Sequence, residues 1–298
     1  MRGLSRTKEV RVRRRTFIAA GAAGAVAVGG AVAGAGVATE TLPGSVALRR
    51  RLGWTGPDGT VPDVPAGRIV RRSVTSKARG TGVEVVTIAP AGVSEAAARR
   101  LPVCVMLHGR GSSAYRFVGL GMPQFLTQAV RGGAEPFVLA AVDGGEASYW
   151  YGDAMTMLLD EVPGWLGAEP RAVLGISMGG FGALLYARER AGLDAAALLS
   201  PALFRTWADA RTVGPFKGEA QWAAVEPLRH TGQLRLPARD IGVWCGREDP
   251  FHGSAQALAA AVRPGVASFG HGGHDQGYWR RVAPDALRFI GERIATNA

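Results

Sequence analysis

Two hydrophobic periods alternate along the chain. Short β-type runs at residues 68–73, 83–88, 103–107, 137–142, 172–176, 195–199, 241–245 and 266–269 read as β-strands. Several, VCVML and AAALL among them, hold no polar residue, as expected of strands covered on both faces. Between them, helical patterns occupy residues 122–131, 154–165, 181–190, 254–262 and 278–294. The alternation predicts an α/β fold with a mostly parallel central sheet and helices on both faces. The first two strands should follow each other with no helix between them.

Three stretches fall outside this pattern. Residues 39–67 are rich in Gly, Pro and charge and read as an extended lead-in to a folded domain over residues 68–298. Residues 201–239 hold Trp207, Phe216 and Trp222 but no strand, which predicts an insertion over the strand ends and over any active site placed there. Residues 1–38 begin with a basic segment and continue as an uncharged run of mostly Ala, Gly and Val, the layout of an export signal. Arg14-Arg15-Thr16-Phe17-Ile18 resembles the core of a twin-arginine signal, and Gly36-Val37-Ala38 offers small residues for cleavage. Residues 17–38 are also just long enough to remain as an anchor across a bilayer core of about 30 Å. The expected location is therefore extracellular or in the cell envelope.

Charge changes this picture little. The formal net charge is +11, but the segment 1–38 holds seven of the 35 basic residues and one of the 24 acidic ones. The remaining excess is scattered, with no basic stripe interleaved with aromatics, so nucleic acid is not an expected partner. Cys104 and Cys245 each sit in an apolar run, PVCVML and IGVWCG, and read as buried free thiols. Export would also permit a disulfide between them.

Chemistry enters at Gly175-Ile176-Ser177-Met178-Gly179-Gly180, which follows the apolar run Ala172-Val173-Leu174 and leads into a helical pattern. A strand that ends in Gly-x-Ser-x-Gly and passes at once into a helix makes a tight elbow with an exposed, strained serine. Ser177 is thus a candidate nucleophile, and a serine hydroxyl needs a base oriented by an acid. His274, in the glycine-rich loop between the last strand and the last helix, is the favoured base, with His271 the alternative. Asp249 is the favoured acid, with Glu248 beside it as the alternative. The chain order Ser177, Asp249, His274 is that of nucleophile, acid and base in hydrolases built on such sheets. The expected oxyanion donors are the backbone amides of Met178 and of Arg110 in LHGRGSS, with Gly109 as alternate to Arg110. No metal cluster spacing, P-loop or dinucleotide fingerprint is present in the sequence, so no cofactor and no metal are expected.

Together LHGRGSS, DGGEASYWYGDAM, GISMGGFGALLYA, CGREDPF and GGHDQGYWR resemble the esterase family of α/β hydrolases, which includes enterochelin esterase, esterase D, feruloyl esterases and the mycolyltransferase antigens of mycobacteria. The likeness covers about residues 68–294. It implies the α/β-hydrolase fold, a catalytic triad of Ser177, Asp249 and His274, and an oxyanion hole from the backbones of Arg110 and Met178. It also sets Tyr149 and Trp150, in Tyr149-Trp150-Tyr151, near the acyl or alcohol pocket; packing beneath the insertion is the other reading of that segment. The expected activity is that of a secreted serine esterase acting on a small-molecule or sugar ester, with possible cell-envelope association. Two alternatives stand beside it. One is an acyltransferase that passes the acyl group to a sugar hydroxyl, although its mycolyltransferase relatives use Glu where this chain has Asp249. The other is a non-catalytic envelope-binding protein.

Overall fold

The computed structural model describes residues 53–296, so the expected export signal and the first part of the lead-in lie outside the described residues. β1 (Ile69–Ser76) and β2 (Thr81–Ile88) form a hairpin, and α1 (Glu95–Ala98) leads to β3 (Val103–Leu107). α2 (Arg116–Leu120) and α3 (Met122–Arg131) precede β4 (Val138–Val142). α4 (Asp153–Thr156), a π-helical turn (Met157–Glu161) and α5 (Val162–Leu166) then lead to β5 (Pro170–Ile176), which passes into α6 (Met178–Glu189). After β6 (Ala195–Leu199) come α7 (Trp207–Val213) and α8 (Glu219–Val225), then β7 (Ile241–Trp244), α9 (His252–Val262), β8 (Val266–Ser268) and α10 (Gln276–Thr296).

The eight strands form one sheet in the order β1-β2-β4-β3-β5-β6-β7-β8. β2 pairs antiparallel with β1 and β4, and the remaining neighbours are parallel. In β3 the side chains alternate between two core layers. Val105 and Leu107 pack with Phe181, Leu184 and Leu185 of α6, while Cys104 and Met106 pack with Phe125 of α3 and Leu287 of α10. This two-sided burial is why the strand has no polar position. Cys104 and Cys245 are both buried free thiols.

The chain turns to opposite sides of β3, with β4 on one flank and β5 on the other. Such a reversal of strand order leaves a crevice at the carboxyl ends of the central strands, where ligands of open α/β sheets bind. Residues 108–111 leave β3 at that edge, and Ser177 leaves β5.

Two expectations change. The helix expected over 154–165 is interrupted by the π-helical turn, which is followed by Pro163, a residue with no N–H to give to a regular helical ladder. α1, α2, α7 and α8, of four to seven residues each, carry too few turns for their period to show in the sequence. Within the insertion, the segment before α7 is fastened to α8 by Glu226, whose fully buried carboxylate accepts from the N–H groups of Phe204, Leu228 and the Trp222 indole. Burial pushes that carboxyl up to about 7 despite the three donors.

The described part of the lead-in has no strand or helix through residue 67, but it is docked against the domain. The Gly59 N–H donates to Gly277 O at 2.8 Å, and a side chain on Gly59 would collide with the Arg281 backbone. Arg281 donates to the carbonyls of Pro57 and Thr55 from the lead-in and to that of His271. One guanidinium thus ties the lead-in, α10 and the His271–His274 loop together. Arg281→Met should lower unfolding stability by about 1–2 kcal/mol, as expected for a few partly exposed hydrogen bonds. Urea denaturation of parent and variant would check this; equal midpoints would show that the tie contributes nothing.

Candidate active site

The elbow at Ser177 begins with close contact. A Cβ on Gly175 would lie 2.0 Å from Gly179 O, and one on Gly179 would lie 1.8 Å from Leu107 O. Only hydrogen fits at either position, so β5, α6 and the end of β3 approach to backbone contact. The turn between them places Ser177 at φ 55°, ψ −118°, a left-handed φ that a residue with a Cβ adopts only when its surroundings impose it. The Ser177 N–H donates to Leu199 O at 2.9 Å, which pins the turn to β6.

His274 and Asp249 reach this serine from two other loops. His274 Nε2 lies 2.8 Å from Ser177 Oγ, and its Nδ1 lies 2.8 Å from Asp249 Oδ2. Asp249 also accepts from the Phe251 N–H at 2.8 Å and from the Ser200 hydroxyl. Burial acts to raise its carboxyl, but the neighbouring imidazole and these hydrogen bonds outweigh it and hold the group below the ordinary aspartate range. An ionised carboxylate only accepts, so Nδ1 carries the proton and Nε2 is free to accept from the serine. The rings of Phe251 and Trp279 meet the imidazole edge-on, with centroids 5.2 and 5.3 Å away.

The neighbouring His271 and Glu248 form a pair of their own. His271 Nδ1 is 2.8 Å from Glu248 Oε1, and the other oxygen of Glu248 accepts from the Gly272 N–H. His271 is mostly exposed and pairs away from Ser177, so this couple laces the loop after β7 to the loop that carries His274. The Arg247 and Glu248 amides add donations to Gly270 O and Gly272 O.

Residues 108–110 flank the serine on its other side. A Cβ on Gly109 would lie 3.3 Å from Ser177 Cβ. The Met178 amide, at the first position of α6, has no intrahelical acceptor. Among the described residues neither it nor the Arg110 amide donates to a protein acceptor. His108 anchors this loop as a neutral ring. Its Nε2 accepts from the Gly144 N–H at 3.1 Å, so its Nδ1 carries the proton that bonds Gly109 O at 2.8 Å. Burial lowers its pKa, consistent with that tautomer.

Tyr149 and Trp150 do not line the cavity at Ser177; both are core residues. Trp150 is wedged between Gly144 and Gly182, where any Cβ would strike its ring, and its indole N–H donates to His108 O at 3.1 Å. Tyr149 packs its ring against Phe181, Phe204 and Phe216. Both carry positive φ, 48° and 59°. The second reading of this segment, packing beneath the insertion, describes Tyr149. The insertion likewise contributes no side chain to the cavity wall. It reaches the site indirectly, through Val213 O, which accepts from Arg110 Nη1, and through Phe204, which packs on Phe251.

Ser200 had no signal in the sequence. It follows β6 with φ 49°, is fully buried, and links Asp249 to the Trp279 indole N–H, which its Oγ accepts at 3.1 Å. A left-handed non-glycine residue is invisible in composition or period. Ser200→Ala should lower kcat on an activated ester by about tenfold, the equivalent of one hydrogen bond to a charged group. Because Asp249 is depressed, the stability it contributes is present above the ordinary aspartate range and lost as pH falls through its folded value. The stability gap between parent and Ser200→Ala should accordingly hold at neutral pH and close in acid; a gap that widens in acid would contradict the assignment.

Comparisons with known proteins bear on the fold and the family. Residues 82–290 match the profile of the family described as Esterase. No curated protein matches the chain in sequence. Among solved structures, a ferulic acid esterase superposes with TM-score 0.60 at 16% identity, covering 76% of this chain and 98% of its own. An S-formylglutathione hydrolase from Agrobacterium tumefaciens gives 0.61 at 15% identity, with 78% and 98% covered. A feruloyl esterase module from Clostridium thermocellum gives 0.55 at 17% identity, with 80% and 94% covered. At these identities the structures establish the α/β-hydrolase fold. With the family profile spanning most of the folded domain, the chain belongs to the Esterase family and is an esterase acting on carboxylic esters.

Proposed function

We propose that this chain is an exported serine esterase that hydrolyses its ester through an acyl-enzyme on Ser177. The observation that carries the reading is the unbroken chain of 2.8 Å hydrogen bonds from Ser177 Oγ through the His274 ring to buried Asp249. His274 Nε2 takes the hydroxyl proton as Oγ attacks the ester carbonyl carbon. The carbonyl oxygen becomes the oxyanion, and the amides of Met178 and Arg110 donate to it, each worth roughly 3 kcal/mol in such sites. The N-terminal end of α6 adds its positive dipole at the same place. The protonated imidazole, stabilised by Asp249, gives its proton to the departing alkoxide. Water then repeats the sequence against the acyl-serine, and Ser177 leaves with its proton restored.

Three groups acting as one unit lose activity non-additively. Ser177→Ala and His274→Ala should each reduce turnover of an activated ester by at least about a thousandfold, and the double variant should be little worse than either. Asp249→Asn should be severe but less complete. Losses that multiply in the double variant, or His271→Ala inactive with His274→Ala fully active, would overturn the assignment.

The proposed route out of the cell rests on Arg14-Arg15-Thr16-Phe17 followed by an uncharged Ala/Gly/Val run. Replacing both arginines with lysine should leave precursor inside the cell. Undiminished secretion of that variant, read by immunoblotting of cell and medium fractions, would exclude the twin-arginine route.

A further inference from the structure

The cavity that opens at Ser177 has a volume of about 940 Å³, and its walls have a charge pattern that the ester chemistry does not use. Phe117, Leu120, Ile176 and Trp279 give it apolar surface, whereas Arg79, Arg110 and Arg116 bring three guanidinium groups. Each of the three is held on a neutral oxygen. Arg79 Nη1 donates to Asp143 O at 2.7 Å, and Arg110 Nη1 donates to Val213 O at 2.8 Å. Arg116 directs Nη2 and Nε at the Gln276 amide oxygen, at 2.6 and 3.3 Å, in the amide orientation that satisfies both groups.

Several arginines elsewhere on the molecule sit against carboxylates, as Arg68 does with Glu95, Arg71 with Glu84, Arg171 with Asp194 and Arg190 with Glu169. Among the described residues none of the three cavity arginines has a carboxylate within ion-pair distance. A carbonyl fixes the direction of a guanidinium without cancelling its charge, which leaves the remaining N–H donors and the charge for a ligand. The planar fork of arginine matches a carboxylate.

Two acids also line the cavity. Asp143 spends Oδ1 on the Ala114 N–H at 2.6 Å, and Glu146 is exposed. Three positive charges against two negative leave a cleft suited to one negative charge, and the two acids would repel a dianion. Building on the esterase reading of Ser177, we infer that the preferred ester carries a carboxylate besides its scissile group, recognised chiefly by Arg116 with support from Arg79.

Two matched pairs of esters test this and show which side of the scissile bond carries the charge. On the acyl side, 4-nitrophenyl hemiglutarate is compared with 4-nitrophenyl pentanoate. On the alcohol side, 4-carboxyphenyl acetate is compared with its methyl ester. In the parent, kcat/KM for the anionic member of one pair should exceed that of its neutral partner by about tenfold, mainly through KM, as expected of one charge-assisted pair. The ratio should shrink at high salt. Arg116→Gln should bring it close to one and Arg79→Gln should reduce it, whereas Arg100→Gln, outside the cavity lining, should leave it as it is. A parent ratio at or below one in both pairs, or a ratio unchanged in Arg116→Gln, would overturn the inference. If none of the four esters turns over, the esterase reading of Ser177 fails, and calorimetry on Ser177→Ala still decides the cleft. Tighter binding of the anionic than of the neutral member in either pair, lost when Arg116→Gln is added, supports the inference. Equal binding within both pairs overturns it.

Discussion

The left-handed backbone at Ser177 persists because α6 lies so close to β5 and to the end of β3 that no side chain fits at Gly175 or Gly179. That steric constraint sets the rest of the site. It brings Gly109 within contact of the serine and leaves the Met178 amide at the open end of a helix. It also holds Ser177 Oγ at a point that two later loops must reach. A strained residue of this kind costs of order 1–3 kcal/mol, which the surrounding core has to offset. The offset comes from burial on both faces of β3 and β5, whose strands carry no exposed residue.

Against this fixed serine, His274 and Asp249 are held by lacing between loops. The loop after β7 donates backbone hydrogen bonds to the loop after β8, and Glu248 and His271 add a side-chain clasp. Ser200, Phe251 and Trp279 then set the orientation of Asp249 and His274. Arg281 extends the support to the docked lead-in. The insertion is one step further from the chemistry. It bears on the aromatic cluster around Tyr149 and on the Arg110 guanidinium, which couples its position to the loop after β3 without placing it in the cavity.

The sheet was legible from the chain because buried parallel strands read as uninterrupted apolar runs. The residues 103–107 and 195–199 coincide with β3 and β6 from end to end. Ser177, Asp249 and His274 were legible for a different reason: each follows a recognisable strand, and sheet topology gathers loops at the carboxyl edge. What sequence could not supply was side-chain direction inside the loops. Tyr149 and Trp150 look the same in the chain whether they face a cavity or a core, and their positive φ, which turns them inward, leaves no compositional trace. Ser200 was hidden in the same way. The choice between His271 and His274, three residues apart, needed the geometry of the turn.

The central claim is that the acyl group passes through a covalent bond to Ser177 Oγ. It is tested most directly by rapid-quench mass spectrometry after mixing the parent with an excess of a 4-nitrophenyl ester. The expected result is a burst of 4-nitrophenol near one equivalent per protein whenever deacylation is the slower step, and an acyl mass increment confined to the peptide that holds Ser177. An increment mapped to another residue, or product formed over many turnovers with no acylated protein even when a poor deacylating ester is used, would contradict it.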